Sequence, residues 1–194
     1  MPHGRDRAQL TRVKDGRSWQ IGDSSVVAWI AASTVTGLTI TSAIPPVFDD
    51  YATIVIPDGG RGSAQHDQLV IALLSKHSPN QPWWLAYLDT GSDDVIFPDA
   101  TPVRLYANWS YVLIEAGPEQ ALAWRSHDTG WNRTLPDLLF PADQSWLLST
   151  LWDDDWRCLG GPTSLIEALQ QEPQLDVRRV SIDGDATPSG HVAR

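Results

Sequence analysis

Apolar positions along the chain follow two periods, and the stretches between them are rich in Gly, Pro, Asp and Ser. In "HDQLVIALLSKHS", Leu69, Leu73 and Leu74 form a helical stripe, with Asp67 near the start and Lys76 and His77 at the end, where the helix dipole favours each charge. "GPEQALAWR" and "PTSLIEALQQEP" each open with a proline at the first helical turn, where its missing N–H costs nothing. "PPVFDDYATIVIP" is predicted helical on the same grounds: Pro46 in the first turn, Asp49 and Asp50 near the positive end, Val47, Tyr51, Ile54 and Val55 on one face, Pro57 as the stop. The run in "SSVVAWIAAS" suits a buried helix or a strand equally well.

Alternation marks the strands. "PWWLAYLDTG" sets Trp84, Ala86 and Leu88 against Leu85 and Tyr87 and then turns, with "VIFP" as its return strand. "VRLYANWSYVLIEAG" predicts two short strands bent around Asn108. "SWLLSTLWDD" places Trp146, Leu148, Thr150 and Trp152 on one side and Leu147, Ser149 and Leu151 on the other. "WRCLGG" answers it, and "LDVRRVSI" is a final strand. "TGLTITSAIPP", "DGGRGSAQ", "SHDTGWNRT" and "LPDLLFPADQ" are predicted extended segments, loops or connectors. Helices fall between groups of strands and do not alternate with them. The fold class is therefore α+β: a single domain with a mainly antiparallel central sheet packed with three to five helices. Its expected bounds are 18–182, between a disordered N-terminal tail over 1–17 and a flexible C-terminal tail over 183–194, both polar and aperiodic.

Composition narrows the function. Hydrophobic residues make up 42% and charged residues 20%, enough apolar material for a real core. Acidic residues exceed basic ones by ten, a field that repels nucleic-acid phosphates and favours a basic partner. Cys158 is the only cysteine, which excludes an internal disulfide and fits a cytoplasmic location. No Sec signal and no apolar run of membrane-spanning length is present, so no membrane role is expected.

The sharpest local feature is "WDDDW", Trp152 to Trp156. Asp153 and Asp155 point the same way if extended and would offer oxygen to a hard cation, but the spaced acids, glycine and distal glutamate of a calcium loop are missing. Turn chemistry is the plainer account: Asp side chains bond nearby backbone N–H groups, and the flanking tryptophans cap the sheet. An acidic tip between aromatics also suits a basic protein partner. The Gly pair of "CLGGP" precedes a helix, as in anion cradles, yet lacks a phosphate-loop pattern and fits a tight strand-to-helix turn. Cys158 has no histidine paired with it by any motif and suits a small core position. His66–Asp67 and His127–Asp128 are adjacent pairs, expected to be solvated in loops. No catalytic signature, metal set or cofactor motif emerges.

Two stretches, "IPPVFDDYATIVIP" and "LPDLLFPADQSWLLSTLWDDDWRCLGGPTSLIEALQQEPQLDVRRV", resemble a family of small uncharacterised actinobacterial proteins. That family carries a Pro-Pro-x-Phe-x-x-Tyr segment and a Pro-x-Asp-x-x-Trp strand followed by an acidic stretch, a Gly-Gly turn, a helix and a strand. The two stretches cover about a third of the chain. The family's pattern has one or two acids where Asp153 to Asp155 stand, and the resemblance implies no activity. In type, without a shared motif, the chain is also similar to immunity proteins of bacterial polymorphic toxin systems. The expected function is a non-enzymatic, immunity-like interaction module that binds a basic protein through Trp152, Asp153, Asp154, Asp155 and Trp156, with Trp131 and Arg133 as second choices. The alternative is an enzyme or a small-ligand or metal-binding protein that uses Asp153 and Asp155 with a loop histidine, His127 or His77.

Overall fold

A computed structural model describes residues 9–12, 18–57, 61–90, 100–123, 135–151 and 154–193. "VIFP", Trp131, Arg133, His127, Trp152 and Asp153 lie outside the described residues.

The ten strands among the described residues pair antiparallel throughout. They are β1 (Gln9–Arg12), β2 (Ser18–Ile21), β3 (Asp50–Val55), β4 (Trp83–Leu88), β5 (Val103–Leu105), β6 (Trp109–Ala116), β7 (Leu138–Pro141), β8 (Leu147–Ser149), β9 (Trp156–Gly161) and β10 (Val177–Arg179). Their order is β1-β2-β6-β4-β7-β8-β9-β3-β10, with β5 also on β6. Four helices, α1 (Ala28–Ala31), α2 (Arg61–His77), α3 (Pro118–Ala123) and α4 (Thr163–Gln170), complete the α+β architecture.

The sheet is covered on both faces, and the alternation of each strand divides two apolar cores. Trp83, Leu85 and Tyr87 of β4, with Trp146, Leu148 and Leu159, meet Val70, Ile71 and Leu74 of α2 and Leu165, Ile166 and Leu169 of α4. Ala86 of β4, with Leu147, Trp156 and Cys158, faces the other way. There the cover is Val27 and Ile30 around α1, Ile40 to Ile44 around a 3₁₀ turn, and Val180 and Ala186 near the C-terminus. In the first core the rings of Trp83 and Trp146 meet edge to face at 4.8 Å, and the Trp146 indole N–H donates to the Ser78 hydroxyl. Such a bond is what lets a fully buried tryptophan hide its polar atom.

Several expectations are corrected. Residues 50–55, expected helical, form β3, held between β9 and β10. Buried at every residue but Val55, Asp50 and Thr53 included, β3 shows no regular polar–apolar alternation, so periodicity does not separate it from a helix. "LPDLLFPADQ" contains β7, with Pro141 as its last residue opposite Trp83. Among the described residues of "SWLLSTLWDD", β8 alone is strand. The loop expected at "DGGRGSAQ" is helical from Arg61.

Backbone pairing is present within both segments expected as tails. Gln9–Arg12 pair antiparallel with Ser18–Ile21. Residues 183–193 are docked on the domain. Asp185 bridges to Thr39, the Ala186 N–H donates to the Leu38 carbonyl at 2.8 Å, and the Ile40 N–H donates to the Gly184 carbonyl at 3.1 Å. Arg178 donates to the carbonyls of Asp185 and Thr187. The polar composition of this segment reflects backbone pairing with a neighbouring loop in place of apolar burial.

Candidate functional site

The residues that carry chemistry converge on β9, whose side chains alternate between the two faces. Trp156 and Cys158 point to the face covered by the C-terminal segment, while Arg157 points under α2.

Beneath α2 lies a charged cluster that sequence reasoning missed. Asp67 is fully buried, and its Oδ1 accepts from the Arg157 guanidinium at 2.8 Å. His66, also buried, has Nδ1 3.3 Å from Arg157 Nη1 and 3.4 Å from Asp67 Oδ1. The pair expected in a solvated loop thus sits on the inner face of the helix. The buried positions there are Ser63, His66, Asp67, Val70, Ile71 and Leu74, a stripe wide enough to take both neighbours; Leu69 and Leu73 lie at its edge. Arg157 is the one long cation in "WRCLGG", a strand with every residue buried. A sheet covered on both sides leaves such a cation no solvent face, so it needs a carboxylate. The cluster joins α2 to the sheet.

On the opposite face is a cavity of about 250 Å³. Its walls include Tyr106, Trp109, Leu151, Asp154, Trp156 and Cys158, and the 34–38 loop with Ala186, Thr187 and Ala193 closes it on the outside. The β5–β6 hairpin sets two of the aromatics. Leu105 pairs with Trp109 across a three-residue loop in which Tyr106 and Asn108 adopt positive φ, 53° and 66°. The Tyr106 hydroxyl lies 3.1 Å from the Ala43 carbonyl and 2.9 Å from Ser149 Oγ, contacts that offset the cost of a left-handed non-glycine residue. Burial pushes the Tyr106 phenol and the Cys158 thiol up, the thiol to about 12, with the Asp154 carboxylate adding to the thiol's rise. Cys158 therefore stays a protonated thiol at neutral pH, a poor nucleophile.

Asp154 and Trp156 of "WDDDW" thus border this cavity. β8 and β9 pair antiparallel, so residues 150–155 connect two hairpin strands. The Asp154 N–H donates to the Leu151 carbonyl, and the Ile56 N–H donates to the Asp155 carbonyl. Trp156 is 3% exposed and belongs to the core beneath the tip, and Asp154 is 6% exposed. Asp155 lies at the surface, and its partner is His191 of the C-terminal segment: Nδ1 to Oδ1 is 2.8 Å, and the imidazole meets the Trp156 ring edge-on. His191, not His77, stands beside Asp155, and His127 lies outside the described residues. His77 bonds the Leu73 carbonyl at the end of α2 instead. Among the described residues no group of three or more His, Cys, Asp or Glu is arranged to hold a metal ion.

The Gly pair has a packing role. A Cβ on Gly160 would overlap the Phe48 ring and Ile44 Cγ2, and one on Gly161 would press on Leu165 and Trp146 at 3.1 Å. Both lie within β9, so "CLGGP" is a closely approached strand and not a turn that cradles an anion.

Fold and site together define an α+β protein with a doubly covered antiparallel sheet and a small aromatic-walled cavity at one hairpin tip. No protein-family model matches this chain, and no curated protein or solved structure matches it. No helix among the described residues is long and apolar enough to cross a membrane.

Proposed function

We propose that this protein is a non-catalytic interaction module of the cytosol, immunity-like in type, which docks a basic protein on the face that carries the cavity. The observation that supports the reading is the composition of the rim. Val35 is 56% exposed and Leu38 59% exposed, both lining the cavity whose wall includes Asp154, and the half-exposed Asp155 follows Asp154 in the chain. Exposed apolar side chains next to acids make the mixed surface that an interface uses: an apolar centre to exclude water and charges to steer the approach. The net charge of −10 favours the same class of partner.

The test is an affinity capture from lysate of the source organism, with three baits: wild type, Val35→Asp/Leu38→Asp, and Val47→Asp. Val47 is equally exposed and lies outside the cavity lining. A stoichiometric basic partner kept by wild type and Val47→Asp, lost by the rim variant, and bound more weakly as salt rises, supports the reading. A partner that all three baits hold equally, independent of salt, overturns it.

A further inference from the structure

We infer that the cavity is a socket for one uncharged apolar side chain, of leucine to phenylalanine size, projecting from the partner proposed above. The inference deepens that reading and rests on it for the source of the side chain. Three observations carry it. The first is the chemistry of the wall. Trp109, Leu151, Ala186 and Ala193 give it apolar surface, and polar groups beside them already have partners in the fold. The Thr34 hydroxyl donates to the Ile30 carbonyl at 3.1 Å, the Tyr106 hydroxyl lies between the Ala43 carbonyl and Ser149 Oγ, and Asp154 is engaged as well. Cys158, kept a thiol by burial, packs as a small apolar group with a weak donor. A group that brings no charge and needs no hydrogen bond suits such a wall. The second is size. An apolar cavity of ~150 Å³ holds a benzene ring, so about 250 Å³ has room for one leucine or phenylalanine side chain, and it lies below the ~300–1,000 Å³ usual for small-molecule sites. The third is continuity with the surface. Val35 and Leu38 line the cavity and are also more than half exposed, so apolar wall runs out onto the rim. A free molecule in the cavity would leave that margin in water, whereas a side chain anchored in a docked protein brings flanking chain to cover it.

The experiment titrates the full chain with four blocked amino acids, the N-acetyl methylamides of leucine, phenylalanine, alanine and lysine, and separately with toluene. The readouts are the indole N–H resonances, assigned with Trp109→Phe, and the alkylation rate of Cys158, which is the only thiol of the chain and lines the cavity. The leucine or phenylalanine derivative is expected to bind at least about tenfold more tightly than those of alanine and lysine, to shift the Trp109 signal, and to slow alkylation. Ala193→Trp, which adds bulk to the wall, and Leu151→Asn, which makes it polar, are each expected to erase most of that preference, with a urea midpoint near wild type showing that the fold survives. Alanine or lysine binding as tightly as leucine and phenylalanine overturns the inference, and so does the absence of any shift. A preference that both folded variants retain overturns it as well, since the binding then lies elsewhere. Toluene binding with no response to the blocked amino acids overturns it in favour of a free apolar molecule. Because these probes need no partner, a captured partner combined with an indifferent cavity would sink this inference alone. A cavity selective for apolar side chains with no captured partner would sink only the docking reading.

Discussion

Removing either member of the buried Asp67–Arg157 pair should be among the most damaging single changes in this protein. In Asp67→Leu the Arg157 guanidinium, 2% exposed at its side chain, keeps its charge beneath α2 without the carboxylate 2.8 Å away. Breaking a buried pair this way costs about 3–5 kcal/mol, mostly the desolvation of the charge left behind. Total stabilities run ~5–15 kcal/mol, so the variant sits near the edge of folding. With a urea slope of roughly 2–3 kcal/mol/M for a chain this size, the midpoint should fall by about 1–2 M. Arg157→Met should do similar harm by stranding Asp67. The double variant Asp67→Leu/Arg157→Met buries neither charge and fills similar volume, so it should lie within roughly 1–2 kcal/mol of wild type. Urea denaturation followed by tryptophan fluorescence reads all four corners of the cycle. Single losses below about 1 kcal/mol, or a double variant as poor as the sum of its parts, would refute the view that the cluster is a mutually dependent pair.

Other outcomes follow from the second face. Stability should decline as pH rises from about 9 toward about 12. The Cys158 thiol titrates near 9.0 when unfolded and is pushed up to about 12 by burial, so its contribution is full below the unfolded value and lost on the way to the folded one. Tyr106 and Tyr111, also pushed up by burial, act in the same direction. Urea midpoints at several pH values should show Cys158→Ala losing less on this alkaline limb than wild type, and an identical slope would count against it. Gly160→Ala should cost about 1–3 kcal/mol, since its Cβ meets Phe48 and Ile44 in a packed layer; a neutral result in thermal denaturation would contradict the packing account. His191→Ala should speed alkylation of Cys158 by releasing the end of the C-terminal segment from Asp155, whereas Val192→Ala, at an exposed position, should not; equal rates would show that the segment does not shield the cavity.

Much of this architecture is legible in the residue pattern, and the parts that are not share one physical cause. Where a strand has distinct neighbours on its two sides, as Trp83 to Leu88 do, alternation reveals both the strand and the core that each residue joins. The helix over 163–170 is similarly plain, with Leu165, Ile166 and Leu169 buried on one side. The pattern fails at β3 and β7, where every residue but Val55 is buried and the polar-out signal vanishes. The β-branched run Thr53-Ile54-Val55 was the available hint, outweighed by prolines and acids that fit a helix start.

The candidate site divides along the same line. "WDDDW" was recognisable as a hairpin connection because turn chemistry is local. What its residues face was not, because that depends on which distant segments cover the sheet. A polar C-terminus supplies His191 to Asp155 and part of a cavity wall, through backbone hydrogen bonds that leave no mark in hydropathy. Trp156, read as a surface anchor, is core because β9 is covered on that side too. Arg157 shows what the pattern did contain. A cation inside an otherwise apolar and Gly-rich strand has no exposed side to use once both faces are covered, so it requires a buried acid. Asp67, one position after His66 on the only long helix among the described residues, is the carboxylate that meets it. Two-sided coverage therefore governs both findings. It buries the Asp67–Arg157 pair on one side of β9 and, on the other, leaves an aromatic-walled space where loop and C-terminal segment do not quite meet the sheet.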